Sequence, residues 1–225
     1  MERHILGSFD EALDNLRDQS LLMASLTERA LDSAQKGFME RHLDSCNNVI
    51  AGDYEIDQLE IRIDESGVQL LTFFQPVASD LRVVIAQMKL SQHLERIADQ
   101  CVNIARKARK LLERPTLKET AIIEPLFTYA GTMLKDALQV QIHRQADDAI
   151  EVVARDRHLD EMNRLVAEQL TNRISVDPNR TWEHVQLIFI AGHLERIGDL
   201  SKSIAQDAVF LVEGRDIRHQ NLAQV

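Results

Sequence analysis

The chain has 225 residues, 44% of them hydrophobic and 28% charged, with 26 basic against 36 acidic side chains for a formal charge of −10. Eight glycines and four prolines are too few for the turns of a sandwich or barrel, and with seven Phe, two Tyr and one Trp the core must be aliphatic, so the composition reads as all-α. The acidic balance excludes the basic stripe that a nucleic-acid partner requires, and the longest uncharged stretches, 68–79 and 185–192, fall far short of the roughly 20 apolar residues that cross a bilayer.

The opening MERHILGSFDEAL has acids where a secretory signal would have an apolar run. Ser8 or Asp10 is placed to cap a first helix running toward residue 40, with Leu13, Leu16, Met23, Leu26 and Leu31 at helical spacing. A break at 37–42 leads to a second long helix, apolar along Leu43, Val49, Ile50, Ile56, Leu59, Ile63 and Leu70, and stopped by Pro76. Ser79 or Asp80 starts a third helix that runs to about Leu112 and is closed by Pro115. The second half repeats the plan with helices over roughly 119–144, 147–174 and 180–213, the last break falling at Asp177-Pro178. Residues 214–225 lack a periodic apolar face and read as a loose tail. Cys46 and Cys101 form no CxxC pair and read as buried thiols of a reducing cytosol.

The halves are copies of one another. HLERIADQCVNIARKA (93–108) and HLERIGDLSKSIAQDA (193–208) agree at nine of sixteen positions, 100 residues apart. GDYEIDQLEIRI (52–63) is echoed by RDRHLDEMNRLV (155–166), and Pro76 by Pro178. The expected architecture is therefore two tandem, pseudo-symmetric three-helix bundles, over residues 5–114 and 115–213.

The repeated carboxylates carry what chemistry the sequence offers. Glu95 and Asp99, and their counterparts Glu195 and Asp199, project within about 40° of each other on a helix. Such a like-charged pair costs an isolated helix about 0.2–0.5 kcal/mol. Met88 and Val102 flank Glu95 at about 20° on either side, so the acids lie beside the core-facing stripe. A partly buried like-charged pair raises its own pKa or finds a cation. The preceding helix of each half adds Asp53, Asp57 and Glu60 in the first and Asp156 and Asp160 in the second, with Asn163 in Glu60's place. Asn103, two turns beyond Glu95, can add an amide oxygen. Carboxylates converging from two antiparallel helices suit a divalent metal. Arg96 and Arg196 adjoin the acids and could equally neutralise them, so a solvated or Arg-paired face stands beside the metal reading. His93 and His193 lie about 160° around the helix from the glutamates and point away from them. The chain has no nucleophile elbow, Walker loop, dinucleotide fingerprint or di-iron Glu-x-x-His pairs, which argues for a non-catalytic protein over a carboxylate-bridged metallohydrolase.

Over about residues 5–213 the sequence resembles the PhoU family, accessory regulators of bacterial phosphate uptake. The resemblance lies in FDEALDNL (9–16), IAGDYEIDQLE (50–60), QPVASDLR (75–82), MKLSQHLERIADQCVNIA (88–105) and HLERIGD (193–199). It implies a PhoU-like fold of two three-helix bundles and metal clusters of iron or zinc at Asp53, Asp57, Glu95 and Asp99, and at Asp156, Asp160, Glu195 and Asp199. It further implies a cytoplasmic negative modulator of phosphate uptake and of the phosphate-starvation response. Such a modulator links the ATPase of a phosphate ABC transporter to a sensor histidine kinase, with a homodimer compatible and no direct membrane insertion. The chain departs from the family pattern at His93 and His193, where an acid is common, and at Gln100 and Leu200, where a His is common. DPNRTWEH in the second half has lost QPVASDLR.

Overall fold

The computed structural model describes residues 2–218, residues 2–6 by their backbone alone. Among the described residues there are six α-helices and no strand: α1 (Glu2–Met39), α2 (Leu43–Phe74), α3 (Ala78–Leu112), α4 (Glu124–His143), α5 (Ala146–Val176) and α6 (Thr181–Glu213). The all-α expectation holds; the breaks at 75–77, 113–117 and 177 carry a proline within or next to them, whereas those at 40–42 and 144–145 turn on an arginine in left-handed backbone, Arg41 and Arg144. Three helix starts differ from the sequence reading. Helix α3 begins at Ala78 with extended Val77 as its N-cap, so neither Ser79 nor Asp80 caps it. Ser8 and Asp10 do not cap α1, because the helix continues back to Glu2. The fourth helix begins later than expected: Lys118–Ile123 forms a 3-10 turn, and α4 proper starts at Glu124 with Pro125 in its first turn, where the missing N–H costs nothing.

The α1–α2 corner is a device the sequence did not announce. Arg41 takes a left-handed backbone (φ 56°), and the next residue, His42, caps α2 by accepting the Ser45 N–H at 3.2 Å. The Arg41 guanidinium reaches across to the carbonyl oxygens of Leu111, Leu112 and Arg114 at 3.4, 2.7 and 2.9 Å. These lie at the C-terminal end of α3, where intrahelical donors run out, so one cation closes a helix about 70 residues away in the chain. Of the expected tail, 214–218 is described: Gly214 ends α6 with φ 69° and Ile217 is buried, while 219–225 lie outside the described residues.

Helices α1, α2 and α3 pack on one another, as do α4, α5 and α6. The two sets meet mainly where α3 lies against α6, with α1 also touching α4 through the Phe38 and Phe127 rings at 5.8 Å. The core is aliphatic, with Leu16, Ile63, Leu94, Ile97, Leu126 and Leu134 almost wholly buried.

The α3–α6 seam is antiparallel and pseudo-two-fold. His93 of α3 meets Asp207 of α6 at 3.1 Å, and His193 of α6 meets Gln100 of α3 at 2.9 Å. Lys89 bonds Asp207 at 2.8 Å and lies over the Phe210 ring, while Lys107 lies over Phe189. Both histidines thus face the seam, turned away from the acids as the helical angles require. Their surroundings are opposite in sign, because the position matching Asp207 is Lys107. Burial, with Lys107 and Arg196 nearby, pushes His193 down to about 4 and keeps it neutral. Burial would raise Asp207, but hydrogen bonds from His93 and Lys89 hold it below the usual carboxylate range.

Helix α5 lies tight against α6 at Gly198, where an added Cβ would collide with the fully buried Leu159 side chain. Gly198→Ala is expected to lower unfolding free energy by about 1–3 kcal/mol in chemical denaturation. Gly192→Ala on the same helix, whose Cβ meets nothing within 4 Å, is expected to raise it by up to about 1 kcal/mol. Equal effects at the two positions would contradict this packing.

Candidate metal centre

The antiparallel α2–α3 pair brings the first-half acids together. Asp53, Asp57 and Glu60 follow one face of α2 at helical spacing, and Glu95 and Asp99 follow the facing side of α3. Asp53, Asp57, Glu60 and Glu95 are half-buried and Asp99 is exposed. Leu94, Ala98, Val102, Ile56 and Leu59 form the buried floor beside them. The carboxylates act on one another. Burial, then Asp99, Glu60, Asp57 and Asp53, raise Glu95 to about 7. Asp53 is raised by burial and by Asp57 and Asp99, with Arg106 opposing. Glu60 is raised by burial and by Asp64 and Asp57, with Arg96 opposing. Arg96 and Arg106 are exposed. Among the described residues, no Lys, Arg or His comes within 4.0 Å of any of these five carboxylates. The Arg-paired alternative is therefore absent here. Asn103 is half-buried two turns along α3, with no hydrogen bond to the acids among the described residues.

The second half repeats the geometry with two changes, Asn163 in place of Glu60 and Lys202 among the acids. Asp156 is buried (6% exposed), Glu195 half-buried, and Asp160 and Asp199 exposed. Burial and the neighbouring carboxylates raise Asp160, Glu195 and Asp199 above their ordinary values. Lys202, on α6, forms an ion pair with Asp156. Sequence reasoning missed this lysine, although it stands two turns after Glu195 on the same face.

Among the described residues no group of three or more His, Cys, Asp or Glu side chains is closed around a metal position. The α2–α3 cluster nevertheless offers several oxygen donors, no ion-paired cation, and rotatable Asp and Glu side chains on two rigid helices, a donor set that suits a hard metal cation. The residues that would hold it are Asp53, Asp57, Glu95 and Asp99, with Glu60 and Asn103 alongside.

Comparison with known proteins places both halves in one family. The PhoU domain model matches residues 21–108 and again 123–208. The chain is 31% identical to the phosphate-specific transport system accessory protein PhoU of Serratia marcescens, over 97% of this chain and 90% of that one. It is 29% identical to the protein of the same name from Escherichia coli, over 97% and 91%. The crystal structure of PhoU from Pseudomonas aeruginosa superposes with a TM-score of 0.89 at 29% identity, covering 92% of this chain and all of that one. The phosphate transport system regulatory protein PhoU from Streptococcus pneumoniae gives 0.83 at 26% identity, over 92% and 98%.

Because Glu95 binds its proton more tightly folded than unfolded, the stability it contributes is complete below the ordinary glutamate pKa and is lost as pH rises from there to about 7. In chelator-treated protein the melting temperature is expected to fall between about pH 5 and pH 7.5. Glu95→Gln should flatten that fall, raising the melting point above neutrality by roughly 2–4 °C per kcal/mol recovered. An unchanged pH profile in the variant would contradict the crowding of charge described above.

Proposed function

Because the chain belongs to the PhoU family, we propose that it is an accessory regulator of phosphate transport. It would act in the cytoplasm as a negative modulator of phosphate uptake and of the phosphate-starvation response. It would do so as an adaptor between the ATPase of a phosphate ABC transporter and a sensor histidine kinase. The observation that carries this reading is the match of nearly the whole chain to relatives named as accessory proteins of the phosphate-specific transport system. Those names also support a non-catalytic role. No helix among the described residues is long and apolar enough to cross a membrane, so contact with a membrane complex would run through protein surfaces.

Metal belongs to the proposal through the α2–α3 cluster. A bound iron or zinc ion would neutralise acids that otherwise repel one another and would tie α2 to α3. The residues themselves orient the site: Glu95 and Asp99 are fixed by the buried seam helix, while Asp53 and Asp57 are carried by the outer helix α2. A second reading, acids used directly for docking to a basic partner, is favoured by the exposure of Asp99, Asp160 and Asp199.

Cross-linking and capture of a tagged chain from phosphate-replete cells is expected to recover the transporter ATPase and a histidine kinase. Recovery of neither would overturn the adaptor reading. Charge reversal at Asp57 and Asp160 separates the two uses of the acids. Lost capture with unchanged metal content supports direct docking, whereas lost metal together with lost capture supports the metal-shaped surface.

A further inference from the structure

We infer that the two acid clusters have diverged: Lys202 is the built-in cation of the second, and only the cluster between α2 and α3 takes up a metal ion. The inference rests on the metal reading above and narrows it to one bundle.

The repeat makes the comparison position by position. Glu195 and Asp199 match Glu95 and Asp99 at an offset of 100, and by the same offset Lys202 stands where the first half has Val102. Val102 is buried at 2% exposure and brings no charge to the first cluster. Lys202 lies seven residues after Glu195 and three after Asp199, so helical geometry returns it to the acid face. From there it reaches across to α5 and pairs with Asp156, the most buried of the four acids in that cluster. Asp160 and Asp199 bear on the same ammonium.

A lysine in that position excludes a metal in two ways. It takes the Asp156 carboxylate that would have to turn toward the ion, and it sets a fixed positive charge among the remaining donors. Releasing it would leave the buried Asp156 carboxylate without its cation. The second cluster is also poorer in acid. Asn163 occupies the position of Glu60, leaving four carboxylates and one ammonium where the first cluster has five carboxylates and no ion-paired base. The formal charge that draws a cation thus falls from −5 at α2–α3 to −3 at α5–α6, with the most buried donor of the second cluster already taken.

The test is metal content by mass spectrometry after loading the full chain with Zn(II), or anaerobically with Fe(II), followed by desalting. The melting temperature is read on the same samples. Wild type and Glu195→Gln/Asp199→Asn are expected to carry equal metal and to gain equal thermal stability from it. Glu95→Gln/Asp99→Asn should carry none and show no gain. Lys202→Val, which copies the first-half residue, should roughly double the metal content. Placed in the Glu95→Gln/Asp99→Asn background, it should restore binding. Lys202→Met, closer in size, guards against a packing defect. If half the metal remains in Glu95→Gln/Asp99→Asn while Lys202 is present, the inference is overturned and the metal reading survives. If no variant, including those lacking Lys202, takes up metal, both fail.

Discussion

The structure depends on the antiparallel contact between α3 and α6. Each of these helices must satisfy three neighbours at once: its own bundle, its copy in the other half, and the outer helix that carries the second set of acids. The seam consumes one face with His93, Asp207, His193 and Gln100, and the aliphatic core consumes another. The glutamate of each repeated phrase is left at the edge, half-buried against α2 or α5. Its position is therefore set by packing that does not involve charge. That is why like charges can be held together there, despite raising Glu95 to about 7. A surface pair under the same repulsion would rotate apart into water.

Much of this was legible in the sequence. The duplicated phrase fixed the number of halves, the apolar spacing gave the helices, and a helical wheel placed the acids beside the core and the histidines away from them. What escaped were features that depend on distant contacts. Nothing near Arg41 in the chain says that its guanidinium will close α3. The early start of α1 and the 3-10 turn before α4 contradict local capping cues at Ser8, Asp10 and the stretch after Pro115. Lys202 was visible but carried no motif. Only its ion pair with Asp156, on another helix, gives it meaning.

Duplication followed by single-residue divergence accounts for the asymmetries. Lys107 answers Asp207 across the seam, so one histidine sits beside a carboxylate and the other beside an ammonium. Lys202 answers Val102 at the acid faces, so one cluster holds its own cation and the other does not. The three-helix plan is common to both halves, although α1 has 38 residues and α4 only 20, and the whole chain superposes on the PhoU structures.

The most direct test of this account is anomalous diffraction at the iron and zinc edges from crystals grown with the metal present. The account predicts anomalous density among Asp53, Asp57, Glu95 and Asp99, with the Lys202 ammonium, and no anomalous peak, beside Asp156. Equal peaks in both bundles, or a peak at α5–α6 alone, would contradict it.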